Sequence, residues 1–279
     1  MIDFLSKIKG SASVIRSSYP AGFSPTIAVI RELGLHSSGS AKIMGELKYS
    51  DIPHFEITRG SKTGCVLFCR IAKKDVLVYN GRFHFYDGIS MRSIAHKIYV
   101  LKMLGIKRII SIDETGHLNP RFNCGELALI YDHINLTGDN PLIGKNEDSL
   151  GVRFPDMSNA YDKKMFSAIR AVLTDAKVRV NEAVYLGITG PNSETDAEAR
   201  FYRDTGSDVL GYSMVPENIT AVHAGIKFAG IGLITRELVA DRMMEDTRSD
   251  KELEAHRAAG YRKASQLLSG LLEGIIKAV

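Results

Sequence analysis

Short β-branched or aliphatic runs alternate along this chain with longer amphipathic stretches, and the alternation leaves few architectures open. Strand-length runs lie at 26–30, 65–69, 75–79, 108–112, 127–130, 183–189, 209–214 and 228–235, most of them bounded by Gly, Pro, Asp or Asn. Helix-length stretches lie at 90–105, 160–175, 195–205, 216–225 and 251–279. In the last of these, Leu253, Ala264, Leu267, Leu268, Leu271, Ile275 and Ile276 fall largely on one face. The pattern predicts an α/β fold in which helices cover a mixed sheet. Helical stretches are scarce before residue 90, so the sheet there is expected to be mixed or antiparallel and able to curl toward a barrel. No Ser/Gly/Pro-rich linker, internal repeat or low-complexity tract interrupts the chain, which reads as one domain over 1–279.

No apolar run approaches the roughly 18–20 residues of a membrane helix, and the first residues carry an acid and no cleavage-site pattern, so a cytoplasmic protein is expected. A net charge of +4 invites a nucleic-acid reading. The basic residues are interleaved with acids, however, and cluster no further than pairs such as Lys73-Lys74, so no binding stripe forms. Cys65, Cys69 and Cys124 have no zinc-finger spacing and are expected to be reduced core residues rather than metal ligands.

Three segments carry more polar and glycine punctuation than strand ends require. In the stretch 80–88, Arg82 and His84 sit two apart, so on an extended chain a guanidinium and an imidazole could hold one anion together. They could equally be an edge arginine and a satisfied histidine beside aromatic core. Glu194, between a strand and the helix that opens at Thr195, could accept from a heterocycle or simply favour the helix start. Ser213 could cap the helix entered at Pro216, or could hold an anion there.

Seven stretches, taken in order, carry a family resemblance: Asn80-Gly-Arg-Phe-His-Phe-Tyr-Asp-Gly88, Gly116-His-Leu-Asn-Pro120, Asp132-His-Ile-Asn-Leu136, Arg153-Phe-Pro-Asp-Met-Ser-Asn-Ala-Tyr-Asp162, Gly190-Pro-Asn-Ser-Glu-Thr195, Gly211-Tyr-Ser-Met-Val-Pro-Glu217 and Leu233-Ile-Thr235. From about Pro25 to Gly260 the chain resembles the trimeric purine nucleoside phosphorylases, which include the methylthioadenosine phosphorylases. The resemblance implies an α/β fold with a mixed sheet and a distorted barrel, and a homotrimer with active sites near subunit interfaces. It also implies cleavage of a purine nucleoside by phosphate to give free base and ribose 1-phosphate. Phosphate is then a co-substrate, and neither a metal nor an organic cofactor is called for.

Carried over by position, Arg82, His84 and Ser213 fall on phosphate contacts, and Glu114 falls where a backbone amide helps hold phosphate. Tyr86 and Tyr212 fall at the ribose, and Glu194 on the acid that reads the purine N1 edge. Ser193, Thr235 and Arg236 complete the nucleoside side, Phe154 matches an aromatic lent by a neighbouring subunit, and His84, Glu194 and Arg236 form the implied catalytic set.

The departures concentrate at the phosphate end. Where the family has a glycine-serine-glycine loop this chain reads Glu32-Leu33-Gly34, and the stretch at Arg59-Gly60-Ser61-Lys62 lacks a histidine. Asp113-Glu114 replaces Asn-Ala, Arg236 an asparagine, Ser193 a phenylalanine and Tyr212 a methionine. At ~4 Å and an effective dielectric of about 20, each carboxylate facing phosphate opposes it by on the order of 4 kcal/mol. Glu32 or Glu114 is therefore expected either to pair with Arg82 or to activate water, as in a phosphate-independent N-glycosidase. A non-catalytic nucleoside-binding protein is the remaining alternative.

Overall fold

The computed structural model describes residues 3–32, 41–56, 64–244 and 246–279, the side chains of residues 241 and 244 excepted. Its elements run α1 (Phe4–Ser17), β1 (Ile27–Arg31), β2 (Lys42–Lys48), β3 (Cys65–Ile71), β4 (Lys74–Asn80), α2 (Met91–Met103), β5 (Arg108–His117) and β6 (Leu127–Asn135). There follow α3 (Lys163–Asp175), β7 (Asn181–Gly187), α4 (Asp196–Asp204), β8 (Val209–Gly211), α5 (Met214–His223), β9 (Lys227–Glu237), α6 (Ala240–Met244) and α7 (Asp250–Ala278).

The described strands form one mixed sheet in the order β2-β3-β4-β1-β5-β8-β7-β6-β9, and a further pairing of β5 with β9 closes the last five into a barrel. The α/β class, the mixed sheet and the barrel are as expected, but the barrel lies elsewhere than the strand-rich beginning suggests. The strands before residue 90 make an open wing, antiparallel through β2, β3 and β4 and parallel from β4 to β1. Closure depends instead on β5. Its first residues pair with β1, its last two with β8, and the whole strand with β9, across a register break between Thr115 and Gly116. A bulge bends and twists a strand locally, which lets one strand belong to both the wing and the barrel.

Apolar continuity made β1 easy to read, because a strand with parallel neighbours on both edges is buried on both faces. The run at 209–214 yields only a three-residue β8, since α5 begins at Met214. In α7 the residues Gly260, Ala264, Leu268, Leu271, Leu272, Ile275 and Ile276 are buried, whereas Leu253 is 40% exposed and falls off the expected face. Burying Ile275 and Ile276 completely stabilises the fold by about 1.5–3 kcal/mol each. The helix end is also tied to the wing: Lys74 Nζ donates to the carbonyls of Ile276 and Val279, both at 2.9 Å. Cys65 and Cys69 are buried in β3 and Cys124 is half-buried, all as free thiols. Among the described residues no helix is long and apolar enough to cross a membrane.

Candidate active site

The chain beyond β4, β7 and β8 converges with the later residues of β5 and β9 and with one face of α7 on a cavity of about 660 Å³. Glu32, His84, Tyr86, Asp113, Glu114, Ser193, Tyr212, Ser213 and Arg236 line it from the sheet, and Glu254, Arg257, Tyr261 and Arg262 from α7. Spacings of three, seven and eight residues place those four on one helical face. Glu194 and Thr235 border an adjoining cavity of about 390 Å³ that shares Ser193 and Arg236 with the first. Arg82 and Phe154 border neither cavity. Leu33 and the stretch 59–62 lie outside the described residues.

Arg82 turns inward and is paired with carboxylates, the alternative to an open anion site, with Asp113 and Glu217 rather than Glu32 or Glu114 as its main partners. Its Nε donates to Glu217 Oε1 at 3.2 Å, and its Nη1 to the Ile112 carbonyl at 2.7 Å and to Asp113 Oδ1 at 2.6 Å. Nη2 donates to Glu217 Oε2 at 3.2 Å and to the Ser111 hydroxyl, which in turn donates to Glu217 at 2.8 Å. A guanidinium has five N–H donors, and all five are engaged. Glu32 approaches Nη1 at 3.8 Å as a third carboxylate. Glu114 does not join them: it accepts from Thr235 Oγ1 at 2.7 Å and from Arg257 Nε at 2.6 Å.

His84 does face the cavity, stacked on Tyr86 at 4.6 Å, and Tyr86 meets Tyr212 edge-on. Its Nδ1 lies 2.9 Å from Ser213 Oγ and its Nε2 lies 3.6 Å from Glu32 Oε1, so the three side chains form a row. Ser213 therefore neither caps α5 with its hydroxyl nor offers its amide to an anion. The Tyr185 hydroxyl takes the amides of Ser213 and Met214 at 3.3 and 3.4 Å and donates to Asp113 Oδ2 at 2.6 Å. Gly211 makes room for this arrangement, because a Cβ there would strike the Tyr185 hydroxyl and come within 2.9 Å of Asp113 Oδ2.

At the other end, Thr195 and Glu198 form a capping box on α4, leaving Glu194 outside the helix-start role. Buried Glu194 accepts from the Tyr212 hydroxyl at 2.9 Å and from Arg236 Nη1 at 3.1 Å, and Arg236 Nη2 also donates to Tyr212 at 3.1 Å. Phe154 stands 86% exposed beside Leu142, Ile143 and Met157.

Electrostatics divide the two ends. Burial alone would weaken the Arg82 charge, but Glu217, Asp113 and Glu32 overcome it and push its pKa up. Asp113 is raised, by burial first and then by repulsion from Glu32 and Glu217, against the pull of Arg82 and Tyr185. Burial would raise Glu32 as well. The hydrogen-bonding contact of His84 and the charges of Arg82, His84 and Lys97 outweigh it and hold that carboxyl below its usual range. Burial lifts Tyr212 to about 12, so its hydroxyl remains a donor to Glu194.

Sequence reasoning overlooked Ser111, Tyr185, Glu217, Lys97 and Arg257, and treated Asp113 only as an extra acid. Glu217 follows Pro216 in a helix's first turn, where an acid is unremarkable. Lys97 carried a readable signal, since it lies three residues from Ile94 and four from Leu101 on the apolar face of α2.

The sequence profile of the phosphorylase superfamily matches residues 26–277. Purine nucleoside phosphorylase 1 of Bacillus subtilis is 39% identical over 255 residues, covering 88% of this chain and 93% of that one. The chain belongs to the purine nucleoside phosphorylase family. Within that family, the enzyme named purine nucleoside phosphorylase in Bos taurus is 36% identical over 259 residues, covering 90% of this chain and 89% of its own. A crystal structure of a Schistosoma purine nucleoside phosphorylase in complex with hypoxanthine superposes with a TM-score of 0.87 at 30% identity, covering 100% of this chain and 99% of that one. A purine nucleoside phosphorylase in complex with ribose 1-phosphate gives a TM-score of 0.85 at 30% identity, with 100% and 99% covered.

Proposed function

We propose that this chain cleaves the N-glycosidic bond of a purine nucleoside with phosphate as acceptor, releasing the base and ribose 1-phosphate. A phosphate oxygen bonds to C1′ while the bond from C1′ to the base nitrogen breaks and its electron pair leaves with the base. The observation that carries the reading is the cavity itself, with the Glu194–Arg236–Tyr212 cluster at one end and the Glu32–His84–Ser213 row at the other. Arg236 opposes the charge that builds on the departing base, and Tyr86 and Tyr212 flank the sugar. Family members named for this activity support the assignment. Incubation with inosine, guanosine or adenosine plus phosphate should yield ribose 1-phosphate; a purified, folded protein that forms none would refute it. The reading invokes no metal or organic cofactor, and a cytoplasmic location is part of the same proposal.

Glu194 is the base-reading acid in this scheme. Its ionised carboxylate accepts from a ring N–H more strongly than an amide can, so Glu194→Gln should weaken purine binding by roughly tenfold, or about 1.4 kcal/mol. Calorimetry with the free base measures this, and an unchanged affinity would leave Glu194 as no more than the partner of Arg236.

The assembly belongs to the same proposal. Phe154 is exposed and lies outside the two cavities around Arg236, which leaves it free to be lent to a neighbour's sugar pocket in a homotrimer. Light scattering should give about three times the chain mass, and Phe154→Ala should raise the nucleoside KM. A monomer at micromolar concentration would remove both claims.

A further inference from the structure

The nucleophile end of the cavity suits a neutral molecule better than a dianion. All five donors of Arg82 are spent on Glu217, Asp113, Ser111 and the Ile112 carbonyl. The amides that open α5 are spent on Tyr185. Meanwhile Glu32 and Asp113 both line the cavity at this end, and Glu114, on the same wall, is already paired with Arg257. Among the described residues, an anion placed beside His84 and Ser213 would meet the Glu32 and Asp113 carboxylates; of the cavity-lining guanidiniums, Arg236 and Arg257 are paired with Glu194 and Glu114, which leaves Arg262 on α7. A water molecule would meet hydrogen-bond acceptors.

We propose that water is a second acceptor in this cavity, deprotonated by Glu32, which the row Glu32–His84–Ser213 holds in place. The inference rests on the N-glycosidic cleavage proposed above and changes only what attacks C1′. With its proton on Nε2, the His84 ring points that N–H toward Glu32 and accepts the Ser213 hydroxyl at Nδ1, so one carboxylate oxygen is fixed while the other stays available. In the step, the water oxygen bonds to C1′ and one water proton passes to the Glu32 carboxylate. The bond from C1′ to the base nitrogen breaks with its electron pair leaving on the base, which is protonated from solvent, and Glu32 returns its proton to solvent. The sum is nucleoside plus water giving base plus ribose. Glu32 is placed for the task because it borders the cavity where Arg82 does not.

The test is product analysis of inosine with the full-length protein, in buffer stripped of phosphate and again with phosphate added. Expected without phosphate are hypoxanthine and free ribose, at a rate that Glu32→Gln lowers about 100-fold or more, the smaller end of what a positioned general base contributes. Glu32→Gln should still bind hypoxanthine by calorimetry, which shows that the loss is one of chemistry. Base release that strictly requires phosphate and yields only ribose 1-phosphate would overturn the inference and leave the phosphorolytic reading standing. Ribose without any ribose 1-phosphate would do the reverse. Undiminished hydrolysis in Glu32→Gln would remove Glu32 as the base, and no cleavage in either buffer would refute both readings. Should Glu32→Gln not fold, the wild-type products alone decide whether water is an acceptor.

Discussion

Arg82→Ala is expected to lower the stability of the fold by about 3–5 kcal/mol, read as a shift in the denaturant midpoint. The magnitude follows from what remains behind. Glu217 and Asp113 are buried with side-chain oxygens 3.2 and 2.6 Å from the guanidinium, and Glu32 stands at 3.8 Å. Without the cation, Glu217 and Asp113 are left as buried, uncompensated charges facing one another, with Glu32 beside them on the cavity wall. Adding Asp113→Asn to Arg82→Ala should recover part of the loss by removing one uncompensated charge, and simple addition of the two single effects would show that the groups are not coupled. Arg82→Lys should rescue little, because a point charge with three donors cannot span two carboxylates, a hydroxyl and a carbonyl.

Lys97→Met should stabilise the protein at neutral pH and remove a rise in stability with pH. The Lys97 ammonium has no hydrogen-bond partner and lies 3.2 Å from the centre of the Phe83 ring, with Tyr49 behind it at 5.8 Å. Burial pulls its pKa down from 10.5 to about 7, with Arg82 adding repulsion and Glu217 and Glu32 opposing the shift. Between those two pKa values the unfolded chain carries a proton that the folded one lacks. Stability must therefore rise as pH increases through that window, by up to about 1.4 kcal/mol per unit, and flatten below it, where both states are protonated. Tyr49 and Tyr79, whose burial raises their pKa values, act in the opposite sense only above about 10. Unfolding midpoints of wild type and Lys97→Met at pH 7 and pH 9 test the sign; equal slopes would mean that Lys97 keeps its proton when buried.

Much of the sheet was legible because buried parallel strands are continuous apolar runs, which β1 and the first half of β5 display. The edge strand β2 was not legible: its residues Lys42, Glu46 and Lys48 face solvent, so a charged stretch hides a strand that pairing with β3 alone defines. Nor could local pattern locate the barrel, which depends on β5 meeting β9 across more than a hundred residues. At the site, motif residues such as His84, Tyr86, Glu194 and Ser213 were found by type and order. What each one touches was not. Arg82 reads in sequence as an anion ligand, and only the arrival of Asp113 and Glu217 from other elements turns it inward. Arg257 illustrates the converse, since nothing near it in sequence announces that the last helix supplies a cavity wall and a partner for Glu114.

The groups that accept hydrogen bonds from Arg82, on Ser111, Ile112, Asp113 and Glu217, lie 29, 30, 31 and 135 positions further along the chain. During synthesis the residues of the wing emerge well before Glu217, so the guanidinium must stay hydrated while its neighbours β3 and β4 are already able to pair as a hairpin. Its desolvation is compensated only when the chain has delivered β5 and the first turn of α5 to the same place. Such distant closure is slow compared with hairpin or helix formation. A nascent or truncated chain that ends before residue 217 therefore has most of a sheet but no finished floor to its cavity, and the capacity to act on a substrate appears in one late step rather than growing with length.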